Sequence, residues 1–117
     1  MQEDFPHQAI FRLDMQEALL GKVTKALRHV SVDVEPGNKK LIAQFIYDGE
    51  ISELNLKLAN SAIRDSRISF TEYEIDSTIE RVDYPNRMQY RGKWLAYHRQ
   101  ESIFTDAGPE PAPYLKS

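Results

Sequence analysis

The sequence predicts an α+β domain: a two-layer sandwich in which a four-stranded, mainly antiparallel sheet carries two helices on one face. Three observations predict it. An amphipathic stretch followed by two alternating stretches occurs twice, giving the order αββαββ. Each helical stretch has a single apolar stripe, enough to bury one face. The chain has 117 residues, long enough to bury roughly two-thirds of its unfolded surface around one core.

The first helix is read over 8–20. Phe11, Met15, Ala18 and Leu19 recur at helical spacing and form its inner face. Gly21 suits the left-handed position beyond a helix end, and Lys22 complements the exposed carbonyls there. Pro6 is tolerated only in a first turn, so the helix begins either near Asp4 or after His7.

Two strands follow, at 27–35 and 40–47. Val30, Val32 and Val34 alternate with polar neighbours, and Pro36-Gly37 fits the centre of a type II turn. A two- or four-residue loop places these valines on one face with Leu41, Ala43 and Phe45. The other face then carries Ser31, Asp33 and Glu35 beside Ile42, Gln44 and Ile46. Two isoleucines on an otherwise polar face read either as the ordinary scatter of exposed apolar residues or as a partner or dimer surface.

The second helix is read over 52–67. Ser52 is its N-cap, Glu53 favours the dipole in the first turn, and Ile51 is placed to staple onto Leu56. Leu54, Leu58, Ala59, Ala62 and Ile63 form the predicted buried stripe, and Arg64 and Arg67 lie near its end. In the strand over 73–83, Tyr73, Ile75, Ser77 and Ile79 alternate. The apolar positions then change parity to Val82 and Tyr84, which predicts a bulge near Glu80-Arg81. Pro85-Asn86 closes that strand. The last strand, 93–99, has large residues on both faces, which predicts a central strand or one covered on its far side. Val30, Val32, Val34, Phe45, Leu58, Ile63 and Ile75 are the predicted core. One domain is expected over 1–107, and a proline-rich, extended tail over 108–117.

The chemistry is notable for what it lacks. There are no cysteines, and His7, His29 and His98 have no metal-ligand spacing. No Gly-x-Ser-x-Gly elbow or phosphate-cradling glycine loop is present. No catalytic residue, metal or other cofactor is therefore expected. A His98–carboxylate pair is the arrangement around which a small enzyme would be built. The formal net charge of −3 disfavours phosphate tracking. Arg87, Tyr90, Arg91, Lys93, Trp94, Tyr97 and Arg99 nevertheless have the composition of a single-stranded nucleic-acid platform. No apolar run approaches the roughly twenty residues of a membrane span, and Met1-Gln2-Glu3-Asp4 is acidic where a secretion signal is basic. A cytoplasmic location is expected.

Four runs carry a resemblance: Leu19-Leu20-Gly21 leading to 27–32, then 45–52, then Glu80-Arg81-Val82-Asp83-Tyr84-Pro85, and finally 92–101. Together, over about 19–101, they resemble small bacterial immunity proteins of contact-dependent and other polymorphic toxin systems. The resemblance implies a non-catalytic protein that binds a cognate toxin C-terminal domain, a nuclease in the leading reading, and blocks its active site or substrate access. It implies no direct contact with nucleic acid or membrane. The residues assigned to the partner surface are the acids Asp48, Glu50 and Glu53, with Asp33, Glu35, Ile42 and Ile46 on the open sheet face. A second copy of the chain, forming a homodimer, is the other occupant considered for that face.

Overall fold

The structure, a computed structural model, describes residues 7–101. Its elements are α1 (His7–Ala18), β1 (Leu27–Glu35), β2 (Lys40–Tyr47), α2 (Glu53–Asp65), β3 (Glu74–Arg81) and β4 (Trp94–His98). The four strands form one sheet in the order β3-β2-β1-β4. Both helices lie on one face: α1 packs on β1 and β4, α2 packs on β3, and the helices touch each other. The predicted α+β class and two-layer arrangement are those of the molecule. The expected tail over 108–117 lies outside the described residues.

The first face is an apolar core. Phe11, Met15, Ala18 and Leu19 all point inward from α1 and its last turn, against Val30, Val32, Val34, Leu41, Ala43 and Phe45. Register follows from the loop length. Glu35 pairs with Lys40 across a four-residue connection, so Val30, Val32 and Val34 face Phe45, Ala43 and Leu41. The connection is a turn of 3₁₀ helix, Pro36–Asn38, and not the predicted type II turn. Lys39 takes the left-handed position, with φ 49°. Ser52 caps α2 as predicted, its hydroxyl accepting from the Asn55 N–H at 3.0 Å. The buried stripe of α2 keeps the predicted Ala59, Ala62 and Ile63 but has Asn55 in place of Leu54. Asn55, Ala59, Ala62 and Ile63 are inside, while Leu54 and Leu56 are exposed. Asn55 is accommodated because Thr24 donates to its side chain at 2.7 Å and Tyr47 to its carbonyl at 3.3 Å. Of the predicted core, Leu58 and Ile75 are only partly buried.

The sheet is mainly antiparallel, as predicted, and three details differ for one topological reason. β3 runs parallel to β2, with α2 as the crossover between them, so the sheet is mixed. β3 and β4 therefore sit at opposite edges and form no hairpin. The predicted bulge at Glu80-Arg81 is absent, because β3 keeps its register with β2 through Arg81 and the chain then leaves the sheet. The phase changes occur elsewhere. Arg28 is an extra residue opposite β2, between Leu27↔Tyr47 and His29↔Ile46. Ala96 is an extra residue opposite β1, between Val30↔Tyr97 and Ser31↔Leu95. The second shift lets Trp94 and Tyr97 both pack on the core while Leu95 and His98 pair with residues of the other face.

To travel from one edge to the other, the chain must cross the sheet. With the helices on the first face, segment 82–93 crosses the second. The face read from the sequence as open is a covered one.

Candidate functional site

The second face is assembled from polar side chains that hold the crossing segment. Gln44, fully buried, is the hub. Its Nε2 donates to the Gln89 carbonyl at 2.8 Å and to Glu80 Oε2 at 3.2 Å. Its Oε1 accepts from Ser31 Oγ at 3.0 Å and from the Arg91 N–H at 2.9 Å. Ser31 Oγ accepts from the Gly92 N–H at 3.3 Å. A Cβ on Gly92 would lie 2.5 Å from the Val32 carbonyl oxygen, so only glycine allows this approach to β1. Ile46 is fully buried on this face, and it and Met88 lie outside the main apolar cluster.

The bulge at Arg28 turns a charged side chain toward the same face, a common use of an extra strand residue. Arg28 forms a bidentate pair with Glu101, Nε to Oε2 at 2.6 Å and Nη2 to Oε1 at 2.9 Å. Its Nη1 donates to the carbonyls of Val82 (2.6 Å) and Asn86 (3.1 Å), tying the start of the crossing segment down. Hydrogen bonding to Glu101 raises the Arg28 pKa against the opposing effect of burial. Burial works to raise the Glu101 pKa, but the Arg28 hydrogen bond and the neighbouring cations bring it below the usual range. Arg99 reaches Asp48 Oδ2 at 3.0 Å and the Lys25 carbonyl at 2.7 Å. The Tyr84 ring lies against both guanidinium groups, at 5.6 Å from Arg28 and 6.0 Å from Arg99.

Beside this network, the cross-strand pair His29↔His98 brings two imidazoles together, Nδ1 to Nδ1 at 3.3 Å. Tyr90 stacks on His29 with ring centres 4.1 Å apart. Desolvation, then the adjacent His98, lowers the His29 pKa to about 4, so this ring is neutral at pH 7. Two adjoining cavities flank Tyr90 and His98. One of about 300 Å³ is lined by His29, Tyr90, Lys93 and Leu95 among others. One of about 520 Å³ includes Arg28, Arg87 and Glu101. No hydrogen bond among the described residues joins His98 to a carboxylate, and Glu101 is taken by the two arginines. No group of three or more His, Cys, Asp or Glu is placed to hold a metal ion among the described residues.

The seven residues assigned from the sequence do not form one patch. Asp33, half-buried, accepts from the Val34 N–H at 2.9 Å and pairs across the sheet with half-buried Ile42. Glu35 is exposed beside Asn38. Ile46 is sealed beneath the crossing segment. Asp48 is half-buried and engaged, accepting from the Tyr84 N–H at 3.1 Å as well as from Arg99. Glu50 and Glu53 are exposed. Ile42 and Asp48 are six positions apart along one extended run, about 20 Å at the rise of a strand. The Asp33, Glu35 and Ile42 group is therefore remote from the acidic group. Sequence reasoning missed Arg28, Tyr84, Arg99 and Glu101 as a unit. The visible signal was the pair Arg28-His29, two polar residues in succession where the strand otherwise alternates.

The family model described as MafI2 immunity protein matches residues 8–101. The match spans nearly all the described residues, and the chain belongs to the MafI2 immunity protein family. Membership supports an immunity role, the neutralisation of a toxin. No curated protein matches the chain. No helix among the described residues is long and apolar enough to cross a membrane.

Proposed function

From that membership we propose that the chain is a non-catalytic, cytoplasmic protein that binds a cognate toxin domain one to one and covers its active site or the path of its substrate. The family match carries this reading. The surface that best supports it is the junction between β2 and α2, where Glu50 and Glu53 are exposed next to Leu54 (60% exposed) and Leu56 (44% exposed). Specific protein interfaces take about 800 Å² from each partner and rely on a few anchors within a polar rim. Acids beside exposed leucines supply both kinds of contact. Asp48 is assigned a different part: it anchors Arg99 and Tyr84 and shapes the junction. A nuclease with a basic substrate cleft is the toxin class that these acids fit, since opposite charge speeds encounter.

The test is the toxin domain encoded beside this chain, produced in inactive form, and the double variant Glu50→Lys, Glu53→Lys. Association is expected to slow about tenfold at low salt, with protection of cells weakened and the melting temperature unchanged. Unchanged association, affinity and protection would remove the junction from the interface. The nucleic-acid reading gains no support, because of the three rings it names Trp94 and Tyr97 pack on the core and only Tyr90 is exposed.

A further inference from the structure

We propose that the cavity beside β4, under Tyr90, is a second recognition pocket of the same toxin-binding protein, and that it takes a carboxylate-bearing loop of the toxin domain. The inference rests on the toxin-binding reading above and adds a site and a partner chemistry to it.

The concavity is built by specific backbone choices. Gly92 brings the crossing segment against β1, where any side chain would strike the Val32 backbone. The extra residue at Ala96 sets Leu95 opposite Ser31 and His98 opposite His29. The result is a cavity of about 300 Å³, large enough for a side chain and part of its loop. Its rim carries the two features of an energetic anchor point. Tyr90 (54% exposed) and Leu95 (47% exposed) present apolar surface. Lys93 lines the cavity, Arg87 lines the adjoining one, and neither forms an ion pair with any described residue.

Charge decides what fits. No carboxylate lines the cavity with Lys93, and the one that lines the adjoining cavity with Arg87 is Glu101, whose oxygens are committed to Arg28 and Arg99. The cations on the rim are therefore left to an incoming acid, with charge-assisted hydrogen bonds as the gain. His29 adds to this. It is 4% exposed, and its Nε2 is buried without a partner. A nucleic-acid strand fits less well, because one face of Tyr90 is already covered by His29 and, among the described residues, no other tyrosine, tryptophan or phenylalanine stacks on Tyr90.

The experiment measures binding of the full chain to the inactive toxin domain encoded beside it, for Tyr90→Ala, Tyr90→Phe and the pair Arg87→Glu, Lys93→Glu. Tyr90→Ala is expected to lose about thirtyfold or more in affinity through faster dissociation, and Tyr90→Phe to stay within about threefold of the parent. The charge reversal is expected to slow association about tenfold at low salt. The charge reversal and Tyr90→Phe should melt like the parent, since Arg87 and Lys93 are exposed and Phe keeps the ring on His29; Tyr90→Ala loses that stack, so its affinity is read at a temperature where circular dichroism shows it fully folded. If Tyr90→Ala and the reversal both bind within twofold while Glu50→Lys, Glu53→Lys binds weakly, the pocket is not part of the interface and the toxin-binding reading stands. If the parent binds no toxin, both fall. Saturable binding of a short single-stranded oligonucleotide, abolished by the charge reversal with toxin affinity unaltered, would overturn the pocket's assignment to a protein carboxylate.

Discussion

The two faces of the sheet are both covered, but by different physics. Under the helices, Phe11, Met15, Val30, Val32, Leu41 and Phe45 are removed from water with no polar atom needing a partner. Under segment 82–93, coverage depends on Gln44, Ser31, Arg28 and Glu101 making named hydrogen bonds. Apolar burial is non-directional and forgiving of small shifts. A buried polar network is costly as soon as one member is lost, because its partners stay desolvated. The helix face thus supplies cohesion, and the crossed face supplies shape and charge at its margins, where the junction acids and the Tyr90 pocket lie.

The contrast yields a graded set of expectations. The largest is at Phe45, 1% exposed beneath the helices. Phe45→Ala should cost about 4 kcal/mol in denaturant unfolding and lower the stability of the whole domain. A melting curve overlaying the parent's would show that the helix face is not the main source of stability.

Next comes Arg28, whose side chain is 3% exposed against 15% for Glu101. Arg28→Met leaves two carbonyls without their donor and that carboxylate with Arg99 alone, at a cost of about 3 kcal/mol. Adding Glu101→Gln should restore part of it, because the amide needs no counter-charge. Faster hydrogen exchange should be concentrated at the amides of Arg91 and Gly92. A uniform loss over all strands would mean that the two faces are not energetically separable.

A third expectation concerns pH. His29 is neutral when folded, with a pKa near 4, against 6.5 for the free group. Between those values the unfolded chain binds the extra proton, so stability contributed by His29 is complete above about pH 6.5 and lost as pH falls toward 4. At pH 4.5 the loss is on the order of 2–3 kcal/mol. The groups acting on the ring are His98, which shares its contact, Arg28, which disfavours the charged form, and Glu101, which favours it. Carboxylates such as Asp83, held low by Arg81 and by the Gly49 N–H, titrate further down. Comparing the pH dependence of stability in the parent and in His29→Gln isolates the histidine. Parallel curves would contradict its burial.

The same contrast explains what the sequence makes legible. Spacing alone locates all six elements, the α1 face, the Ser52 cap and the face that β1 and β2 share, because each depends on local periodicity. Strand order does not. Val82 and Tyr84 change parity because the chain has left the sheet, and within one strand that cannot be told from a bulge. The helix between β2 and β3 fits either a parallel crossover or a return to an antiparallel edge. Ile42 and Ile46 on a polar face are a true signal of coverage, but the cover is the chain's own segment 82–93 over Ile46. For the candidate site, exposure of Glu50 and Glu53 agrees with the sequence reading. The commitment of Asp48 to Arg99 joins residues 51 positions apart, beyond any local pattern.

The most direct test of the account is a hydrogen-exchange footprint of the full chain with and without its inactive toxin domain. Protection is expected in peptides covering 48–56 and 87–95, the two margins of the crossed face, while the outer side of α1 around Leu13 and Leu20 exchanges as in the free protein. Protection confined to α1, with both margins unchanged in the complex, would contradict it.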